Sequence, residues 1–338
     1  MKKILFTCLI IALVFFTSCE KLFFSPDISS DPITTFEYLW DKVDQQYAYF
    51  DVKNVNWDDI YIEYGSKIHA DLSDDSLFFY LGSMLNELKD GHVNLFSEFN
   101  ISRFDISKLG PKNIDYRFIQ DNYLGSDYYS TGPFRHDFID NGQVAYVRYS
   151  SFSDNFSDNN MLYIFNRYAN TDGLILDLRQ NGGGYITNIS KLLSYFTASE
   201  KIIYTSCIKS GPGHNEFSNE DINYATPYDT VLHYTKPVAV LIDRGSYSAT
   251  SMFSLATLEL DNLFLVGDTT GGGLGMPNGG QLPNGWTYRF SITRTLTLDS
   301  LNYENGIPPD YYAVLDSTDM QQSYDTVIEK ALDVLLGR

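Results

Sequence analysis

The apolar residues of this chain fall into two kinds of stretch, which alternate over most of its length. Apolar positions three or four residues apart predict helices after Asp31-Pro32, over 74–88, over 157–168 and over 325–336. Short runs of β-branched and other apolar residues predict strands over 143–149, 173–179, 238–242, 263–266 and 286–293. Strands that alternate with helices in this way predict an α/β fold.

One predicted junction between a strand and a helix carries a hydroxyl group. Residues 238–255 read VAVLIDRGSYSATSMFSL, in which an apolar run is broken at Asp243-Arg244-Gly245 and apolar residues then return at helical spacing. Ser248 therefore lies at the start of a helix, where free backbone N–H groups and the helix dipole can stabilise an oxyanion formed when the hydroxyl attacks a carbonyl. The alternative is that Ser246 or Ser248 only caps the helix.

A candidate base follows the predicted end of the helix over 74–88. That helix should stop at Lys89-Asp90-Gly91, where the glycine can take the left-handed cap conformation. His92 comes next, and a histidine held just past a rigid helix end is well placed to act as a base. Nothing in the sequence connects the other four histidines with Ser248; they are His69, His136, His214 and His233.

Two glycine-rich stretches, 182–184 and 271–273, follow predicted strands. Glycines allow backbone N–H groups to approach a bound group closely, although a tight turn at a strand end would use the same residues. No Gly-Lys-Ser/Thr follows, and the glycine spacing is not that of a dinucleotide-binding loop. The stretches therefore predict either a site for a polar group or simple turns, but not a phosphate loop.

Composition narrows the possible partners. The formal net charge is −19, which disfavours binding to nucleic acid because the phosphates would be repelled. The chain has neither a His-Glu-x-x-His motif nor paired cysteines, so we expect no dedicated zinc site and no other cofactor. Cys207 lies in a strand-like run and is expected to be a buried small hydrophobic residue.

The N-terminus has the pattern of a secretory signal. Lys2-Lys3 precede an apolar run over 4–16, which is too short to span a membrane, and Thr17-Ser18-Cys19 follow. This ending resembles a bacterial lipobox with Phe16 where leucine is usual, which implies a signal peptide over 1–18, acylation of Cys19 and a lipidated tether over 19–30. The protein would then be anchored to a membrane of the bacterial cell envelope, facing the periplasm or the surface. An ordinary signal with an accidental cysteine is the alternative.

Five stretches together resemble the serine peptidases of the C-terminal processing group, which includes the tail-specific proteases and the catalytic core of tricorn protease. They are KDGHV (89–93), GLILDLRQNGGG (173–184), VAVLIDRGSYSATSMF (238–253), VGDTTGGG (266–273) and YENGIPPD (303–310). The resemblance implies a ClpP/crotonase-like α/β core over 143–338, an N-terminal helical segment over 31–92, and linking strands and loops over 93–142. The last interval is too short for the PDZ domain that many family members carry.

The resemblance also implies a reaction centre. Ser248 matches the nucleophile, and Gly273 stands where the bacterial and chloroplast processing peptidases carry a lysine base, so a Ser–Lys dyad is not expected. His92 matches the histidine base of the tricorn-type branch. In that branch a serine directly precedes the histidine, whereas this chain has Gly91 there.

The resemblance also assigns an acid and an oxyanion hole. Glu304 matches the acid of the tricorn-type branch, with Asp310 in the same loop as its rival and a solvated loop charge as the alternative. The N–H groups of Ala249 and Gly183 would form the oxyanion hole. We therefore expect a lipid-anchored serine peptidase that acts on peptides or unfolded proteins. The alternative is a catalytically silent lipoprotein that binds peptides or other ligands in the same cleft.

Overall fold

A computed structural model of the protein describes residues 28–228 and 232–338, which form helices packed around three β-sheets. The helices are α1 (Pro32–Gln46), α2 (Phe50–Lys53), α3 (Trp57–Gly65), α4 (Asp74–Asn86), α5 (Tyr116–Ile119), α6 (Asp158–Arg167), α7 (Ile186–Leu193), α8 (Ala249–Thr257), α9 (Ser317–Gln321) and α10 (Thr326–Leu336). The strands are β1 (Asn94–Phe96), β2 (Ile101–Arg103), β3 (Tyr129–Thr131), β4 (Phe134–Ile139), β5 (Val144–Tyr149), β6 (Gly173–Asp177), β7 (Lys201–Ile208), β8 (Asp221–Ala225), β9 (Val238–Ile242), β10 (Leu263–Gly267), β11 (Pro277–Gln281), β12 (Thr287–Ser291), β13 (Thr293–Leu296) and β14 (Tyr311–Tyr312).

The largest sheet has seven strands in the order β14-β10-β9-β6-β5-β4-β3. The five strands from β14 to β5 are parallel, and β4 and β3 continue the sheet in antiparallel fashion. The strands β5, β6, β9 and β10 are buried along almost their whole length because helices cover both faces of the sheet. Helices α6, α7 and α8 pack on one face, and α10 packs on the other.

The N-terminal helices pack on a second, antiparallel sheet, in which the order is β11-β12-β1-β2. Phe36 of α1 and Leu81 of α4 share one buried cluster with Trp286 and with Phe290 of β12. This shared core fixes the segment between α4 and β1, which contains His92, against the C-terminal part of the chain. The third sheet, β13-β7-β8, contains Cys207, which is buried as expected.

The helix and strand predictions agree with the structure at most junctions. Asp31 and Asp325 act as N-caps of α1 and α10, since their carboxylates accept hydrogen bonds from the first free N–H groups. The interval 93–142 is more than a connection, because its four strands join two of the sheets. The division into domains at 31, 93 and 143 stays a prediction.

The predicted left-handed cap at Gly91 is wrong. The residue with positive φ is Lys89, at 49°, and Gly91 is absent from the positive-φ residues of the described chain. Glycine is required at 91 for a different reason: a Cβ there would lie 2.6 Å from Cγ2 of Ile106 and 3.1 Å from the hydroxyl of Tyr247. Close packing against these two side chains, and not the backbone conformation, therefore explains this glycine.

Candidate active site

Ser248 occupies the turn between β9 and α8 in a strained backbone conformation. Its φ is 58° and its ψ is −120°, a region that residues with a side chain rarely adopt. The residue stands at the N-cap position, but its side chain makes no capping hydrogen bond. Its Oγ lies instead 2.9 Å from Nε2 of His92. The Ser246 hydroxyl donates to the Leu178 carbonyl, so capping explains neither serine.

His92 is a buried imidazole whose pKa is lowered from its usual value. Burial lowers the pKa because it disfavours the charged form, Asp90 opposes this effect, and Arg289 lowers the pKa further. Neutral histidine can accept a proton from Ser248. The Gly275 backbone lies near enough to raise the pKa of the ring, yet no described group approaches Nδ1 with hydrogen-bonding geometry.

Asp90 is the part of the site that the sequence interpretation missed. Its side chain is 1% exposed, and its Oδ1 accepts hydrogen bonds from the His92 N–H at 2.8 Å and from the Tyr247 hydroxyl at 3.0 Å. The Tyr47 and Ser291 hydroxyls donate to Oδ2, both at 3.1 Å. Burial raises the pKa of Asp90, but His92, Lys53 and the donated hydrogen bonds more than offset it, so the pKa lies below its usual value. The sequence did offer one signal for Asp90, because it is an acidic residue only two positions before the candidate base His92.

Tyr247 explains two departures from the family pattern. Its ring lies edge-on to the imidazole of His92, with 5.1 Å between the ring centres. A Cβ at Gly273 would overlap this ring, so the lysine of a Ser–Lys dyad could not be placed there without displacing Tyr247. The same side chain crowds Gly91, where the tricorn-type branch carries its serine.

Glu304 lies in the same buried region but makes no direct hydrogen bond to His92. Its Oε2 accepts from the Leu274 N–H at 2.7 Å, and its Oε1 lies 3.7 Å from Nζ of Lys53 without a hydrogen bond. Burial, followed by the negative charge of Asp90, raises the pKa of Glu304 to about 8, although Lys53 lowers it. The Gly275 backbone also interacts with Glu304, so both side chains border the same residue.

Asp310 is engaged elsewhere in the fold. Its Oδ2 accepts a hydrogen bond of 2.8 Å from the Leu265 N–H in the middle of β10. The side chain therefore ties the loop over 303–310 to β10, the neighbour of the edge strand β14.

The backbone groups expected to form the oxyanion hole flank Ser248. Ala249 is the first residue of α8, so its N–H belongs to the free amides of a helix start. A Cβ on Gly183, whose φ is +95°, would lie 2.8 Å from the Ala249 nitrogen and 2.9 Å from Cβ of Ser248. The Gly183 N–H donates to Oδ1 of Asn181 at 3.0 Å, so this amide is engaged in the structure.

Ser248 and His92 face one cleft of about 880 Å³. Its wall includes Ser248, His92, the glycines 182–184 and two arginines, Arg103 and Arg289. Within residues 28–228 and 232–338, no group of three or more His, Cys, Asp or Glu side chains is placed to hold a metal ion.

Comparison with protein families agrees with this geometry. The model of peptidase family S41 matches residues 143–313, and that of the tricorn protease C1 domain matches residues 33–86. The chain belongs to peptidase family S41. The similarity to C-terminal processing peptidases inferred from the five motifs is therefore confirmed.

Curated S41 relatives are longer than this chain. It is 24% identical over 182 residues to carboxy-terminal processing protease CtpB of Bacillus subtilis, which covers 49% of this chain and 36% of the relative. It is 25% identical over 230 residues to CtpA of the same organism, covering 66% and 46% respectively. The chain thus spans less than half the length of both.

A solved structure of a candidate peptidase from Parabacteroides merdae matches along nearly the whole chain. The identity is 38% and the TM-score is 0.87, over 91% of this S41 chain and 98% of the other. Together with more distant S41 structures, it confirms the α/β, ClpP/crotonase-like fold. Among the residues that the structure describes, no helix is long and apolar enough to cross a membrane.

Proposed function

We propose that this S41 protein is a serine peptidase in which Ser248 is the nucleophile and His92 the base, and that it hydrolyses bonds in peptides or unfolded proteins. One observation carries the proposal. The Ser248 hydroxyl and the His92 imidazole, 156 positions apart in the chain, lie 2.9 Å from each other at the wall of an open cleft. A serine is a weak nucleophile at neutral pH and needs such a base.

The reaction would proceed through an acyl-enzyme. Nε2 of His92 takes the proton of Ser248 while Oγ forms a bond to the carbonyl carbon of the peptide. The N–H of Ala249 stabilises the resulting oxyanion, joined by the N–H of Gly183 if the oxyanion displaces the Asn181 oxygen. The imidazolium then gives its proton to the leaving amine as the C–N bond breaks. Water, activated by the same imidazole, releases the acid and restores Ser248.

Two acids have different parts in this proposal. Asp90 is the anion that supports the imidazolium, because its pKa is lowered and it accepts the backbone N–H of His92. Glu304 is the acid that orients the ring through Nδ1. Its Oε1 and His92 Nδ1 are both buried without hydrogen bonds, and both side chains border Gly275. A bridging water or a small rotation of the carboxyl group would satisfy both atoms.

The second candidate is a catalytically silent protein that binds peptides in the same cleft. Two observations favour it: the position before His92 is a glycine, and the Gly183 amide already has an acceptor in Asn181.

Labelling with a serine-reactive fluorophosphonate distinguishes the two candidates. We expect the purified protein to be labelled on Ser248 and the Ser248→Ala variant to remain unlabelled, since the reagent needs an activated hydroxyl. Ser153 lines the same cleft without a histidine partner, so Ser153→Ala should be labelled like the parent. Failure to label the parent would favour the binding protein.

The anchor is a separate prediction, because Cys19 lies outside the described residues. We propose that Cys19 is the acylated first residue of a lipoprotein in the cell envelope. Cys19→Ala should then leave the protein unprocessed or released from the membrane fraction. The control is Cys207→Ala, which removes a buried thiol from β7 and should leave fractionation unchanged. Membrane fractionation and the mass of the mature chain are the measurements, and an unchanged result for Cys19→Ala contradicts the anchor.

A further inference from the structure

Two arginines stand on one face of the second sheet, at the wall of the cleft. Asn94 of β1 is paired directly with Arg289 of β12 on one side and with Arg103 of β2 on the other. Residues directly opposite in antiparallel strands project to the same face, and neighbouring strands are about 4.8 Å apart. The backbones of the two arginines are therefore roughly 10 Å apart, with Asn94 between them. Both reach the cleft that contains Ser248 and His92.

Asn94 holds one of these arginines in place. Its Nδ2 donates to the carbonyls of Gly91 at 3.2 Å and Val93 at 2.7 Å, which fixes the orientation of the amide. Its Oδ1 is thereby presented to Arg289, whose Nε donates to it at 2.5 Å. The outer nitrogens of the Arg289 guanidinium stay available to a ligand, and this pre-orientation lowers the entropy lost on binding.

The charges of the two arginines have no ion-pair partner in the described part of the chain. No carboxylate there lies within 4.0 Å of either guanidinium, whereas the buried Arg179 is paired with both Asp177 and Asp325. Asp105 also lines the cleft. Hydrogen bonds from Ser107 chiefly lower its pKa, and Arg103 contributes a smaller lowering, so this acid offsets part of the charge of Arg103. A site of net positive charge is conspicuous in a chain whose net charge is −19.

The site lies within electrostatic reach of the reacting groups. Arg289 is one of the charges that lower the pKa of His92. An anion bound at Arg289 would therefore lie near the bond that Ser248 attacks. Guanidinium groups bind carboxylates through two parallel hydrogen bonds, which fixes the orientation of the ligand as well as its charge.

We propose that Arg289 and Arg103, with Asn94 between them, form a subsite that binds a carboxylate of the peptide substrate close to the scissile bond. This inference rests on the proposed function, because it names the substrate class of the same cleft. The carboxylate comes from an aspartate or glutamate side chain or from the C-terminus of the substrate.

A peptide library tests the subsite. Peptides made by digesting unfolded protein are used as prepared and after conversion of all their carboxylates to amides. The full chain should cleave the unmodified library at least about tenfold more efficiently, as expected for hydrogen bonds between charged groups. Cleavage sites with an acidic residue at one fixed offset identify the side chain as the source. Sites at a fixed distance from the peptide end identify the terminal carboxylate.

The double variant Arg103→Gln/Arg289→Gln should cleave both libraries with equal, low efficiency. The matched control is Arg117→Gln, which removes an arginine that is 90% exposed on α5 outside the cleft, and it should keep the preference of the parent. Arg289→Gln alone should also move the acidic limb of the pH profile upward, because removal of a neighbouring positive charge raises the pKa of His92.

The subsite is disproved if the parent cleaves both libraries equally, or if the double variant keeps the preference. Fluorophosphonate labelling of Ser248 shows whether the double variant is folded. If the double variant is not folded, Arg289→Lys is used instead, which keeps the charge and loses the paired hydrogen bonds. It should reduce the preference, and an unchanged preference disproves the subsite.

If the parent neither labels nor cleaves, the proposed function fails. Binding is then measured without catalysis, by passing both libraries over immobilised Ser248→Ala protein. Stronger retention of the unmodified peptides supports the subsite, and equal retention disproves it.

Discussion

Replacement of His92 by alanine is expected to lower kcat/KM for peptide hydrolysis by roughly 10⁴-fold or more, as the loss of a member of a catalytic triad does in serine peptidases. The cause is the loss of the group that takes the Ser248 proton across the 2.9 Å contact. The measurement is the hydrolysis rate of a fluorogenic peptide together with thermal unfolding. His69→Ala is the control, since His69 is an exposed residue paired with Asp71. A His92→Ala protein that is as active as the parent would show that another base operates.

The pH profile gives a second view of the same residue. Only the neutral imidazole can accept the proton, so activity is present above the pKa of His92 and is lost as the pH falls through it. The unperturbed pKa would place this loss near 6.5. Burial lowers the pKa of His92, so the acidic limb should lie below that value. The step near pH 8 expected for Glu304 is absent in Glu304→Gln, so the limb of His92 is measured in that variant. A limb at or above 6.5 there would contradict the assignment.

Replacement of Glu304 by glutamine is expected to lower kcat by roughly 10² to 10⁴-fold, with little change in KM, because the oriented and charged form of the His92–acid pair is needed only during turnover. Thermal stability should stay unchanged, since the glutamine oxygen can still accept the Leu274 N–H. The pKa of Glu304 is raised to about 8, so its anionic form becomes the major form only above that pH. The parent should therefore gain activity as the pH rises through about 8. Glu304→Gln should lack that step.

Two other acids serve as comparisons for Glu304. Asp310→Asn should lower the melting temperature and leave kcat largely intact. The reason is that Asp310 accepts a hydrogen bond from the Leu265 N–H of β10 and contacts neither Ser248 nor His92. Asp90→Asn removes the buried anion beside His92. If Glu304→Gln keeps the kcat of the parent while Asp90→Asn or Asp310→Asn loses it, the acid is not Glu304.

Local patterns in the sequence were sufficient for most of the elements and for the position of Ser248 at the junction of a strand and a helix. The continuous apolar run that predicts β9 and the helical spacing that follows it depend on residues close together in the chain, and β9 and α8 are found there. The family could be inferred in the same way, since each of its five motifs is continuous in sequence. Cys207 is buried in β7 because a strand-like apolar run is a local signal of burial.

Other features depend on residues that meet only after folding. The sequence interpretation assigned Asp90 to a helix-ending turn and gave Tyr247 no role. In the fold the Tyr247 hydroxyl donates a hydrogen bond to Asp90 next to His92. The Tyr247 ring fills the space beside Gly91 and Gly273. A motif shows which residue types are present, but it does not show which space a neighbouring ring fills.

The two arginines show the same limit. Arg103 and Arg289 come from strands that are far apart in the sequence, and neither lies in a motif. Their common face follows from the pairing of both strands with β1, which is set by the core that α1 and α4 share with β12. Sequence determined the local elements and the chemical types of the residues. Tertiary structure decided which of them share a cleft, because packing between distant segments sets those distances.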